Sequence, residues 1–153
     1  MAAGPFIFPN LAKLNFFNAT GLLGANAANF KLALLTSTFT PNDATNQVYA
    51  DLTNELATGN GYTSGGIALT GVTLNQTSGT VKFTSSAAVW TASGTGIPAW
   101  RYGYVYYLGT LNSLVNPLVG HFLGDSTPAD IPLTTSGNTL TVTPNASGIL
   151  SAT

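Results

Sequence analysis

The sequence predicts a mainly β fold, an antiparallel β-sandwich of about seven to eight short strands with one or two short helices. Two observations carry this. From Ile67 onward apolar residues recur at every second position, the period of a strand with one face buried. Short Thr-rich segments are separated by turn formers throughout, with 17 Gly and 8 Pro among 153 residues. That length suits a single core. The chain therefore divides into an extended arm, residues 1–9, and a single β-sandwich domain, residues 10–153, with no solenoid repeat to suggest otherwise.

The arm comes first. Pro5 and Pro9 bias the residues before them toward extended backbone, so Pro5-Phe6-Ile7-Phe8-Pro9 cannot be a regular helix and reads as a strap laid on another surface. Asn10 can then cap a short helix over 11–18, ended by Gly21 and Gly24. Residues 30–36 are short and apolar and run into Thr40-Pro41-Asn42-Asp43, the pattern of a mostly buried strand. Residues 51–57 have room for one helical turn, with Asp51 and Glu55 four apart on a solvated face. The loop Gly59-Asn60-Gly61-Tyr62-Thr63-Ser64-Gly65-Gly66 carries four glycines, which imply positive φ angles or tight backbone contact. Ile67, Leu69, Val72 and Leu74 lead through Gln76-Thr77-Ser78-Gly79 to Val81 and Phe83, a hairpin signal. Further strands are expected over 87–91, 99–108, 118–123, 139–143 and 148–152.

Charged residues make up only 6% of the chain, against roughly a quarter in an ordinary soluble domain. Four basic residues (Lys13, Lys31, Lys82, Arg101) stand against five acidic ones (Asp43, Asp51, Glu55, Asp125, Asp130). They cannot build a stripe that neutralises many phosphates, so nucleic acid is not an expected partner. With no Cys there is no disulfide framework, thiolate metal site or cysteine nucleophile. No apolar run approaches the ~20 residues that cross a bilayer, so no membrane partner is expected. The start lacks a basic leader and is cut by two prolines, which predicts a soluble chain not exported by a cleaved signal.

The candidate chemistry is sparse. His121 is the sole histidine, and Asp125 and Asp130 could give it only a hard oxygen cluster across two prolines; a strand histidine bonded to a neighbour is the simpler reading. The residue types of a Ser-His-Asp triad exist, but no Gly-x-Ser-x-Gly elbow is present. Gly94-Thr95-Gly96-Ile97-Pro98-Ala99 matches a loose dinucleotide pattern, yet it opens a strand where that motif needs a helix. The three Asn-x-Ser/Thr triplets at Asn18, Asn75 and Asn145 are expected by chance in so Asn- and Thr-rich a chain. No catalytic residue, cofactor or metal is expected, and the chain reads as a non-enzyme.

Trp100-Arg101-Tyr102-Gly103-Tyr104-Val105-Tyr106-Tyr107 is the most informative stretch. As a strand it places Trp100, Tyr102, Tyr104 and Tyr106 on one face and Arg101, Gly103, Val105 and Tyr107 on the other. Three uses fit the aromatic stripe: a core face, a subunit interface rich in aromatics and Arg, or a platform on which sugar rings stack. Sheet edges are normally guarded by charges, and this chain has few to place there. Near-neutral surfaces also oppose self-association poorly. The expectation is that other subunits cover its edges, as in an assembly, through contacts that salt screens little. Pro5, Phe6, Ile7, Phe8, Pro9, Tyr62, Trp100, Arg101, Tyr102, Tyr104 and Tyr106 are the candidate interface residues.

The block Lys31-Leu32-Ala33-Leu34-Leu35-Thr36-Ser37-Thr38-Phe39-Thr40-Pro41-Asn42, then Val48-Tyr49-Ala50-Asp51-Leu52-Thr53-Asn54-Glu55 and the loop from Gly59 to Gly66, resembles a family of small virion structural proteins of tailed bacteriophages. Val89-Trp90-Thr91-Ala92-Ser93-Gly94 and Asn145-Ala146-Ser147-Gly148-Ile149 fit the same pattern, so the likeness runs from about Lys13 to Leu150. It implies a particle component and transfers no catalytic residue. The expected role is a capsid decoration or cement protein on the capsid surface of the virion, made in the bacterial host cytoplasm. Its expected partners are the major capsid protein and copies of itself, as a dimer or trimer. The alternative is a tail-associated receptor- or glycan-binding module.

Overall fold

The computed structural model describes residues 3–7, 9, 29–77 and 80–152. Among them run twelve short strands: β1 (Phe6–Ile7), β2 (Phe30–Leu35), β3 (Ile67–Ala68), β4 (Thr73–Thr77), β5 (Thr80–Thr84), β6 (Ala88–Thr91), β7 (Tyr102–Tyr107), β8 (Thr110–Leu111), β9 (Leu114–Val115), β10 (Leu118–Leu123), β11 (Thr139–Val142) and β12 (Leu150–Ala152). The pairings among these strands are all antiparallel. A five-stranded sheet runs β1-β10-β7-β2-β3, beside a β12-β5-β4 sheet and the pairs β11-β6 and β8-β9. The fold is mainly β, as expected.

The central strands β2, β7 and β10 are buried almost throughout, so their sheet is covered on both faces. On one face Phe30, Leu32, Leu34, Val105, Tyr107 and Phe122 share a core with Phe83 of β5, Ala88 and Trp90 of β6, and Leu140 and Val142 of β11. This is the sandwich interior. On the other face Ala33, Leu35, Tyr104, Tyr106 and Leu118 meet Phe39, Tyr49 and Leu52. Irregular chain between β2 and β3 therefore serves as the third layer.

Several expectations shift. The helix expected over 11–18 lies outside the described residues, as does the Ser78-Gly79 turn, although Thr77 faces Thr80 as a two-residue hairpin loop requires. The helical turn placed at 51–57 is instead a 3-10 turn over Tyr49–Asp51. Asp51 Oδ2 fixes its start by accepting the Gln47 and Val48 N–H groups at 2.8 and 2.9 Å, and Glu55 follows in extended chain, bridged to Leu35. The strand expected at 99–108 is regular only from Tyr102, because Trp100 bridges to Ile131. The segment between β7 and β10 holds an unanticipated hairpin, β8-β9, whose turn residues Asn112 (φ 48°) and Ser113 (φ 65°) are both left-handed, the geometry that matches strand twist. Among the described residues no helix is long and apolar enough to cross a membrane.

The glycine-rich loop follows its expectation: Gly59, Gly61, Gly65 and Gly66 all have positive φ. The cause at Gly61 and Gly66 is close approach, since a Cβ there would collide with the carbonyl oxygens of Thr91 and Leu32. Gly66→Ala should therefore destabilise the protein by about 3 kcal/mol or more. Gly137→Ala, at φ 84° with nothing within 4 Å of the added carbon, should cost only about 1 kcal/mol, from backbone strain. Urea denaturation of the two variants checks the difference.

Candidate functional site

The arm lies on the chain's own sheet. Gly4 N–H donates to the Leu123 carbonyl at 2.9 Å, Phe6 faces Phe122 and Ile7 faces His121 across the β1–β10 ladder. The Phe6 ring sits 6.5 Å from that of Phe122, over Gly120, where any Cβ would strike it. Pro9 is buried, Pro5 exposed and Ile7 exposed; Phe8 lies outside the described residues. A small apolar cavity of about 30 Å³ separates Ala3, Gly4 and Phe6 from Leu32, Leu69, Val142 and Ile149.

The aromatic stripe is internal. Tyr62, Trp100, Tyr104 and Tyr106 are each 2% exposed or less, and Tyr102 is half-buried against Phe39. Trp100 does not share the tyrosine face: leaving the ladder at Tyr102 breaks the alternation, and its ring packs edge-on to Phe122 in the sandwich core. Arg101 is partly exposed and its Nε donates to Asp130 Oδ1 at 2.7 Å. The four buried rings therefore offer no platform for a sugar, and of the described residues expected at a subunit contact Pro5 and Ile7 are exposed and Phe6, Arg101 and Tyr102 partly so.

Glu55 organises the covered face. Its carboxylate accepts from the hydroxyls of Tyr49 and Tyr62, the latter at 2.7 Å, and from Gly65 N–H at 2.7 Å. Tyr62 Oη also accepts Leu34 N–H at 2.9 Å, joining the loop to β2. Tyr106 donates to the Gly65 carbonyl at 2.7 Å and stacks on Tyr49 with ring centres 4.7 Å apart. Burial, with Glu55 beside it, pushes the Tyr106 hydroxyl up to about 12; burial likewise raises Tyr49 and Tyr62. All three remain neutral donors at physiological pH. The reading of Glu55 as a solvated helical neighbour of Asp51 is thus overturned.

His121 lies on this face, 3% exposed. Its Nε2 is 2.9 Å from Asp43 Oδ1, and its ring stacks on Tyr104 at 4.8 Å. Burial lowers its pKa from the ordinary 6.5, outweighing the pull of the exposed Asp43. Asp125 and Asp130 are elsewhere engaged: the first accepts from Thr127 N–H and Oγ1, the second from Arg101 and Ser37. All five carboxylates thus hold the chain's own groups, and Lys82 donates to the Ala146 carbonyl. Among the described residues no three metal-ligating side chains converge.

The β6-β11 pair carries no charge on its outer face. On the β6-β11 pair, Val89, Thr91, Thr139 and Thr141 face outward while Ala88, Trp90, Leu140 and Val142 face the core. Val89 is 45% exposed and Val115 62%, and Leu108 and Leu133 are similarly open. Sequence reasoning passed over Val89; the strict alternation of Ala-Val-Trp-Thr against a Trp that must be buried was the signal for it. Comparison with family models, curated proteins and solved structures finds no match, so the chemistry of the chain itself carries the functional reading.

Two outcomes follow from the buried polar groups. Glu55→Ala strands two hydroxyls and an N–H and should cost about 2–4 kcal/mol in chemical denaturation, with Glu55→Gln losing less because its amide oxygen can still accept. For His121, whose folded pKa lies below its unfolded one, the unfolded chain binds the proton more readily. Its contribution is therefore complete above about pH 6.5 and is lost progressively as pH falls below that value. Thermal midpoints measured from about pH 8 down to about pH 5 should fall across that range, and His121→Gln should flatten the fall.

Proposed function

We propose that the chain is a structural component of a tailed-phage virion, a capsid decoration or cement protein that acts by contact and not by catalysis. The observation that carries this reading is the engagement of every carboxylate with the chain's own groups. That leaves neither an acid–base pair poised for chemistry nor charges guarding the sheet edges. The phage-family likeness from Lys31 to Gly66 supports the same class. Bound at junctions between major capsid subunits, such a chain would bury neutral Thr and aliphatic surface and stabilise the lattice by binding only its assembled form. It would sit on the capsid surface in several copies, after synthesis in the host cytoplasm.

The outer β6-β11 face, with Val89 among threonines, is the surface proposed to meet the shell. The rival tail-bound glycan module loses its platform, because the rings it needs are inside. Co-sedimentation with heads of the parent particle tests the proposal. The chain should bind with affinities within about twofold between roughly 0.1 and 1 M salt, and Val89→Lys should weaken binding at least about tenfold, ~1.4 kcal/mol. A chain that stays in the supernatant at every salt concentration overturns the reading.

A further inference from the structure

We propose that Asn60 is a self-modifying site, where the fold promotes attack of the Gly61 nitrogen on the Asn60 side-chain amide and so converts Asn60 to aspartate or isoaspartate. Asn60-Gly61 is the one Asn-Gly pair in the sequence. Asn is chemically labile, and a following glycine has no side chain to shield its nitrogen. The pair forms a two-residue turn. The N–H groups of Gly59 and Tyr62 each donate to the other's carbonyl at 2.9 Å. Asn60 (φ 56°) and Gly61 (φ 93°) both take the left-handed backbone that such a turn needs. The turn employs the N–H groups of its flanks, and the Gly61 N–H has no acceptor among the described residues. Gly61 is also exposed, so solvent base reaches it.

The segment 93–95 supplies the rest. Negative charge develops in two places: on the Asn60 main-chain oxygen when the Gly61 nitrogen gives up its proton, and on Oδ1 when that nitrogen attacks Cγ. Both oxygens already accept a backbone N–H, the first from Ser93 at 3.0 Å and the second from Thr95 at 3.2 Å. Donors fixed in place before charge appears lower the barrier to forming it. Gly94 permits this approach, since at φ 54° a Cβ there would stand 2.5 Å from Oδ1. The Gly94-Thr95-Gly96 pattern, which only loosely matched a dinucleotide loop, thus cradles a side-chain amide of the chain itself. As the N–Cγ bond forms the Cγ–Nδ2 bond breaks, and ammonia departs with the proton from Gly61. Water then opens the cyclic imide at either carbonyl, giving aspartate, or isoaspartate with one more carbon in the main chain. A turn this tight has no room for that carbon. The isoaspartate product therefore parts Gly59 from Tyr62 and loosens the grip of Tyr62 on Glu55 and Leu34. None of this chemistry needs a capsid, so failure of head binding leaves it standing.

The native chain is incubated at mildly alkaline pH, folded in buffer and unfolded in guanidinium chloride. Conversion at position 60 is followed by peptide mass spectrometry, with fragmentation that tells aspartate from isoaspartate. The folded chain should convert Asn60 at least as fast as the unfolded chain, in which Ser93 and Thr95 are no longer in place, and ahead of its other Asn residues. Slower conversion in the folded chain shows that the turn locks the reaction out and overturns the proposal. Gly94→Ala, which drives Oδ1 away from Thr95, should slow folded conversion by about tenfold while leaving the unfolded rate unchanged. A folded rate that does not fall overturns the proposal equally. Circular dichroism reports whether that variant folds, and if it does not, the comparison within the native chain decides alone.

Discussion

A single carboxylate lets irregular chain do the work of a third layer. β2, β7 and β10 bury both faces, but only one is met by other strands. The second is roofed by the stretch from Phe39 to Gly66, which has few backbone ladders of its own. Glu55 supplies the missing connections, gathering Tyr49, Tyr62 and Gly65 at one point, while Tyr62 carries the link onward to β2. Removing a charged acceptor from such a cluster strands several donors at once, which is why so much of the roof hangs on one residue.

The roof in turn explains the buried histidine. His121 stands on the roofed face because Ile7 and Tyr104 are its register partners, and Asp43 in the covering chain reaches it from the far side. The two ends of the covering segment are thus fixed by two carboxylates, Asp43 on β10 and Glu55 on the tyrosine cluster. With Asp51 capping the 3-10 turn between them, the three acidic residues nearest one another in sequence all serve one structural purpose.

Much of the fold was legible and much of the polar organisation was not. β2 and β10 announce themselves as mostly apolar runs, broken only by Lys31 and by Gly120-His121, and the four glycines of the 59–66 loop announced positive φ angles or tight backbone contact. Trp100 misled because alternation was extended across a point where the chain changes partner from β2 to Ile131, and nothing in local spacing marks that change. Glu55 was read by helical arithmetic, yet its partners lie on either side of it, Tyr49 in the 3-10 turn and Tyr62 and Gly65 in the glycine-rich loop. Its flanks Leu52 and Leu56, with Tyr49 and Tyr62 beyond, were the available hint. The His121–Asp43 pair spans 78 residues, and no pattern within one element could have brought them together.

The scarcity of basic side chains has a last consequence for durability. Lys31 lies within β2 and Lys82 within β5. The peptide unit of Arg101 is tied by its N–H to Leu35 and by its carbonyl to Gly124. A trypsin-like protease must draw a basic residue and its neighbours out of the fold before it can cut. At these three positions that means opening the sheets themselves. The described body of the molecule should therefore resist trypsin-like cleavage for as long as it stays folded.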